Sequence, residues 1–263
     1  MAQQIAQLRP PLKWAGGKRW LIPELKKYWS KHPQSRLVEP FCGGLSVALG
    51  LQPHQALLND VNGSLINFYQ QIKKGLKIEI NLENNEAIYY QHRKKFNQLN
   101  EKGSSHSEAA QLFYYLNRTG YNGLCRFNKS GGYNVPFGRY KKINYLTSFQ
   151  NYQAVLQKWE FVSKDFSQLQ IQENDFIYAD PPYDVPFRQY SQQGFDWDDQ
   201  VRLAEWLIQQ SGPVILSNQA TPRIISLYKD LGFKLRKLDA PRRISCIGNR
   251  RQAVKEVLAI RGF

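Results

Sequence analysis

The stretch Asp175-Phe176-Ile177-Tyr178-Ala179-Asp180-Pro181-Pro182-Tyr183 constrains this chain more than any other. It opens as a short apolar and aromatic run, the pattern of a buried strand. Neither Pro181 nor Pro182 can donate to a sheet ladder, so the strand must stop at Asp180. Each proline also fixes its own φ and restricts the residue before it. Asp180 and Tyr183 are thereby held stiffly at a strand's carboxyl end, the edge at which open α/β sheets bind ligands. A proline-rich turn closing a strand, with aspartate as turn former, is the plainer reading of the same residues.

One chemistry suits a rigid Asp-Pro-Pro-Tyr. An exocyclic amine such as adenine N6 is a poor nucleophile, because its lone pair is delocalised into the ring. Two acceptors on its two N–H groups draw the nitrogen toward tetrahedral geometry and aim the lone pair at a methyl donor. Asp180 can supply one acceptor and the Pro181 carbonyl the other. Tyr183 offers an aromatic face on which a base can stack.

Upstream, Arg36 to Pro40 reads as a strand, Phe41-Cys42-Gly43-Gly44-Leu45 as a turn, Ser46 to Leu51 as a helix and Gln55 to Asp60 as a second strand ending in an acid. This order is the nucleoside-binding half of a Rossmann-like sheet, in which the acid takes the ribose hydroxyls. Gly43-Gly44 is not G-x-G-x-x-G, which weakens a dinucleotide reading and leaves open a mononucleoside cofactor such as S-adenosyl-L-methionine, with Asp60 on its ribose. An ordinary βαβ unit with an acid in its turn fits equally. Before it, Gly16-Gly17 precede a helical pattern from Arg19 to Trp29, where Lys18 can meet a carboxylate and Trp14 can cover an apolar or cationic ligand. Asp165-Phe166, after a strand at Trp159 to Ser163, can edge a cofactor's adenine.

Charge narrows the partner. The 263 residues carry 36 Lys+Arg against 21 Asp+Glu, a net charge of +15 and a pI of 9.7. That surplus points to a polyanion, most simply nucleic acid. From Ala109 to Trp159 there is no acid, while Arg118, Arg126, Lys129, Arg139, Lys141, Lys142 and Lys158 interleave with Tyr121, Phe127, Tyr133, Phe137 and Tyr140. Glycines and asparagines there predict a hairpin or extended loop. Arginine reads guanine edges, asparagine reads adenine, and an aromatic can wedge into the stack. Pro241-Arg242-Arg243, inside a terminal hairpin, suits a second phosphate contact. Solvated basic loops are the bland alternative for both segments.

Cys42, Cys125 and Cys246 are odd in number and far apart, so neither a disulfide framework nor a zinc site is expected. His32, His54, His92 and His106 form no ligand pattern, and no metal is called for. No apolar run approaches the ~18 residues of a membrane span, and Met1 to Pro11 lacks a signal peptide's apolar core. A soluble cytoplasmic protein, acting at the nucleoid, is expected.

Five segments in this order resemble the Dam-type DNA adenine-N6 methyltransferases: Lys13-Trp14-Ala15-Gly16-Gly17-Lys18, Val38 to Gly44, Leu116 to Asn128, Asn134 to Tyr140, and Asp180-Pro181-Pro182-Tyr183. The likeness covers nearly the whole chain. It implies a three-layer α/β Rossmann-like fold, with residues 1–60 and 145–263 binding S-adenosyl-L-methionine and a mostly helical, hairpin-bearing insertion at 61–144 reading DNA. It implies that Trp14, Lys18, Phe41, Gly43, Asp60 and Asp180 line the cofactor site, and that Tyr121, Asn122, Leu124, Arg126 and Pro136 belong to the hairpin, with Arg118 and Arg139 beside it. In GATC-methylating members the position of Arg126 reads a guanine and that of Tyr121 wedges beside a flipped base. Two departures stand out: the usual second glycine of the Phe-x-Gly-x-Gly turn is Leu45, and the loop after Tyr183 is shorter than in the enteric enzymes.

The expected activity is therefore methyl transfer to adenine N6 at a GATC-like site in double-stranded DNA, by a monomer. N4-cytosine methylation and a non-catalytic DNA-binding regulator are the rival readings. A separately encoded restriction endonuclease, a phage and a solitary enzyme are the settings left open.

Overall fold

The computed structural model describes residues 8–101, 106–184, 194–241 and 254–263. Arg242 and Arg243, and most of the loop after Tyr183, lie outside them.

Seven strands form one sheet: β1 Leu37–Glu39, β2 Ala56–Asn59, β3 Trp159–Val162, β4 Phe176–Ala179, β5 Val214–Gln219, β6 Lys234–Ala240 and β7 Val254–Arg261. Their spatial order is β3-β2-β1-β4-β5-β7-β6. The first five run parallel, and β7 is antiparallel to both β5 and β6. Strands β1, β2 and β4 are buried at every residue, as an apolar run covered on both faces must be. Alternation sends Leu37, Phe176 and Tyr178 to one core and Val38, Ile177 and Ala179 to the other. Helices α1 Ile22–Trp29, α2 Ser46–Leu51, α3 Gly63–Lys73, α4 Glu86–Glu101, α5 Ser107–Thr119 and α6 Gln150–Leu156 belong to the first core, and α7 Trp197–Ile208 and α8 Pro222–Asp230 to the second. The result is the expected three-layer α/β sandwich. Edge strand β6 is exposed or half-buried at every residue but Ala240 and carries Lys234, Arg236 and Lys237, charges that discourage pairing with another chain.

Local chemistry sets the helix starts. Asn62 caps α3 by accepting from Leu65 N–H at 3.1 Å, and Asp196 and Asp199 form a reciprocal capping box on α7. Thr221 caps α8, with Pro222 in its first turn. Helix α6, which is not expected from the sequence, is driven by Phe149, Tyr152 and Leu156 turning inward at helical spacing within the basic, aromatic run.

The expected recognition hairpin differs from a regular β-ribbon. Only isolated antiparallel bridges occur, Gly120 to Phe137 and Phe127 to Tyr133. Pro136 lacks an N–H, and Asn122 and Arg139 stand at positive φ, so no continuous ladder can form. Helix α4 fastens the tip instead: Asn97 accepts from Tyr133 N–H at 2.8 Å, and Asn100 donates to the Gly131 carbonyl.

The strand order reverses between β1 and β4, so Glu39-Pro40 and Asp180-Pro181 leave the sheet side by side. A crevice at such a switch point is where this architecture binds ligands.

Candidate active site and nucleic-acid interface

Asp180 emerges from β4 with its carboxylate gripped on both oxygens. The Lys18 ammonium lies 2.9 Å from Oδ2 and donates to the Gly16 carbonyl at 2.8 Å. Ser217, on neighbouring β5, donates from Oγ to Oδ1 at 2.8 Å, and the Tyr178 hydroxyl lies 2.9 Å from the same Oγ. A serine has one hydroxyl hydrogen. If Ser217 gives it to Asp180, Tyr178 must donate to Ser217, and burial keeps the Tyr178 phenol protonated by raising its pKa well above the usual tyrosine range. The chain Tyr178–Ser217–Asp180 therefore has one sense, and it fixes the plane of the carboxylate. Each carboxylate oxygen keeps a further lone pair for a ligand.

The two prolines are positioned differently. Buried Gln200 of α7 donates to the Pro182 carbonyl at 2.7 Å, and Asn218 donates in turn to Gln200 and to the Tyr228 hydroxyl. No group among the described residues donates to the Pro181 carbonyl. Tyr183 lies beside them, with the Lys18 ammonium 4.7 Å from its ring centroid.

The same cleft, about 1910 Å³ in volume, is lined by Trp14, Lys18, Phe41, Gly43, Asp60 and Asp180, all six of the residues expected around the cofactor. Asp60 accepts from Gly43 N–H at 3.1 Å and from Asn62 N–H at 2.9 Å. Burial outweighs these two bonds and moves its carboxyl up to about 6. A Cβ on Gly43 would stand 2.6 Å from the Trp14 indole nitrogen, so the glycine is needed for Trp14 to lie on this turn. Leu45, where the related pattern has glycine, adopts φ 60° and is fully buried. A left-handed leucine costs about 1–2 kcal/mol, and burying its side chain contributes about 1.5–3 kcal/mol, so packing holds the turn in the glycine-like shape.

Two acids behave in ways the sequence does not foretell. Glu39, at the end of β1, is 2 % exposed and lines the cleft, and its Oε1 has no hydrogen-bond partner among the described residues. Asp165 and Phe166 also line the cleft, but the Asp165 carboxylate is taken up by Arg202, at 2.7 and 2.9 Å, which holds it well below the usual carboxylate range.

The sequence pattern of D12 class N6 adenine-specific DNA methyltransferases matches residues 14–244. The chain belongs to this family. It is 36% identical over 264 residues to the Retron Ec67 DNA adenine methylase of Escherichia coli, covering 95% of this chain and 90% of that protein. It is 37% identical over 270 residues to a DNA adenine methylase of Vibrio cholerae, with 95% and 94% covered. A type II methyltransferase of Lactococcus lactis subsp. cremoris is 33% identical over 276 residues, again with 95% and 94% covered.

In this D12 methyltransferase the cleft that holds Asp180 is tied directly to the basic segment. Buried Asn117 of α5 bonds both sides of the Lys13 peptide, and Lys13 Nζ donates to the Arg118 carbonyl at 2.9 Å while standing 3.6 Å over the Tyr140 ring. Burial, with Arg118 nearby, lowers the Lys13 ammonium to about 8. Leu124 reaches the cleft itself. Tyr121 is 48% exposed, unusual for an aromatic, and neighbours Asn122 at φ 52°. Arg126 donates from Nε to Asn134 Oδ1 at 2.7 Å, and Pro136 offers its carbonyl to Tyr121 N–H. Arg118 and Arg139 are engaged within the protein, Arg118 with the Asn144 carbonyl and Arg139 with Glu86. Among the described residues no helix is long and apolar enough to cross a membrane.

Proposed function

We propose that this D12 methyltransferase transfers the methyl group of S-adenosyl-L-methionine to N6 of an adenine flipped out of duplex DNA, at GATC sites. The reading is carried by one observation: a carboxylate oriented by Lys18 and Ser217 stands beside a carbonyl, that of Pro181, with acceptor capacity to spare. Two such acceptors meet the two N6–H groups. The nitrogen lone pair is then turned out of conjugation and toward the cleft. After the nitrogen gains a methyl group it gives up one proton, and Asp180 is the hydrogen-bonded carboxylate that can receive it.

The cleft residues fit the donor. Asp60 matches a ribose diol, the Gly43 turn under Trp14 makes room for a nucleoside, and the unpartnered Glu39 oxygen suits an ammonium group. Bound there, S-adenosyl-L-methionine supplies an electrophilic methyl on a sulfonium. Lys18 covers one face of Tyr183, leaving the other for the target base. Extruding that base costs a few kcal/mol, which exposed Tyr121, as a wedge, and the basic segment must offset. Arg126, steadied by Asn134, suits the guanine of GATC. Residues 61–144 act as the DNA-reading unit on a catalytic body of 1–60 and 145–263.

Plasmid grown with this gene in a methylation-free host tests the reading, using a nuclease that cuts only methylated GATC. Cutting is expected. Resistance, with no N6-methyladenine in the plasmid, would refute it. N6-methyladenine in uncut plasmid would refute the GATC assignment alone.

A further inference from the structure

Glu256 takes no part in the chemistry described so far. It stands in β7, between β5 and β6, opposite Gln219 and Leu238, so its backbone is fixed by ladders on both sides. Its residue is 8% exposed and its side chain lines the catalytic cleft. Buried acids at inner-strand positions are costly unless they are paired.

Its surroundings are specific. The carboxyl is acted on by Lys18, Tyr183 and Asp180, three groups of the clamp just described. Glu256 Oε2 and the Tyr183 hydroxyl are both buried, and neither has a hydrogen-bond partner of normal geometry among the described residues. Yet the two are close enough to influence one another's protonation, Tyr183 being pushed well above the usual tyrosine range by burial first, with Asp180 and Glu256 adding to it. A buried phenol and a buried carboxylate oxygen lining one cleft, neither taken up by another group among the described residues, are a donor and an acceptor available to one another.

We propose that Glu256 is a positioning residue for Tyr183: its carboxyl accepts from the hydroxyl when a base lies against the ring, and so sets the plane on which the target base rests. This rests on the stacking role assigned to Tyr183 above. Asp180 orients the amine and Glu256 orients the platform, and Lys18, paired with Asp180, also acts on Glu256.

Single-turnover methylation of a GATC duplex by the full chain tests this, at saturating S-adenosyl-L-methionine. Tyr183→Phe and Glu256→Leu each remove one partner, and each is expected to slow methyl transfer about tenfold. Because both delete the same bond, the double variant is expected to be no slower than either single one. Glu256→Gln keeps an acceptor oxygen and is expected to stay within about threefold of wild type. Cofactor affinity is expected to change by less than about twofold in all variants, since the pair faces the base.

Single effects that multiply to about a hundredfold, or a glutamine variant as slow as the leucine one, would overturn the proposal. Tyr183→Phe at wild-type speed would do the same, and does not depend on Glu256→Leu folding well. A wild-type enzyme that leaves the duplex unmethylated would instead remove the function on which the inference stands.

Discussion

Asn117 holds the Lys13 peptide from both ends: its Oδ1 accepts from Lys13 N–H at 2.8 Å and its Nδ2 donates to the Lys13 carbonyl at 2.8 Å. The two residues are 104 positions apart. This double bond pair joins the segment carrying Trp14 and Lys18 to the end of α5, from which the basic loop departs. The cleft-lining segment and the start of the basic loop are thus tied directly together.

Asn117→Ala would leave two backbone groups without partners beside a buried position. We expect a stability loss of about 2–4 kcal/mol, read by urea unfolding, and weaker cofactor binding. Loss of stability with cofactor affinity unchanged would mean that the link is structural only.

Ser217→Ala removes the donor to Asp180 Oδ1 and strands the Tyr178 hydroxyl. The expected result is a roughly tenfold lower kcat with little change in KM for the cofactor. Tyr178→Phe should act in the same direction and non-additively with it. Additive losses in kinetics would break the one-way chain from Tyr178 through Ser217.

Asp60 gives a pH dependence with a definite sign. On the proposed role of Asp60 its ionised carboxylate would accept from ribose hydroxyls, so cofactor affinity should fall as pH drops through about 6. In the free protein the folded value lies above the unfolded 3.8, so protonating Asp60 between these two values stabilises the fold. Weak binding at pH 5 is therefore not unfolding driven by this group. Titration calorimetry across this range checks it, and Asp60→Asn should bind weakly at every pH.

Arg126→Ala should relax sequence choice more than it weakens binding. We expect about 1–3 kcal/mol less discrimination between GATC and near-cognate duplexes, with nonspecific affinity nearly unchanged. Equal losses on both duplexes would assign Arg126 to the phosphate backbone instead.

Much of this was legible in the chain because its signals are local. Pro181-Pro182 end β4, Gly43-Gly44 mark the turn into α2, and the acid at Asp60 closes β2, so the ligand-bearing carboxyl ends of these strands could be read directly, whereas the strand order that makes a switch point there comes from pairings between distant segments. Lys18 was readable as a cation seeking a carboxylate, though nothing named Asp180 as its partner. Ser217 and Glu256 were not readable. Each is one of several polar residues in its strand, and its meaning comes from a partner brought in by sheet order: Asp180 lies 37 positions from Ser217. Leu45 departs from the related glycine pattern while keeping its backbone shape. A missing glycine suggests a changed turn, yet the buried leucine side chain holds the left-handed backbone. Arg118 and Arg139 stand out in the sequence by charge alone, and the partners each has within the protein, the Asn144 carbonyl and Glu86, come from distant segments.

The most direct test is nucleoside analysis by mass spectrometry of a GATC duplex incubated with S-adenosyl-L-methionine and either wild-type protein or Asp180→Ala. The account predicts N6-methyladenine with wild type, none with Asp180→Ala, and no N4-methylcytosine in either. N6-methyladenine formed at comparable rates by both proteins would contradict it, because the Asp180 carboxylate would then not be the group that prepares the amine.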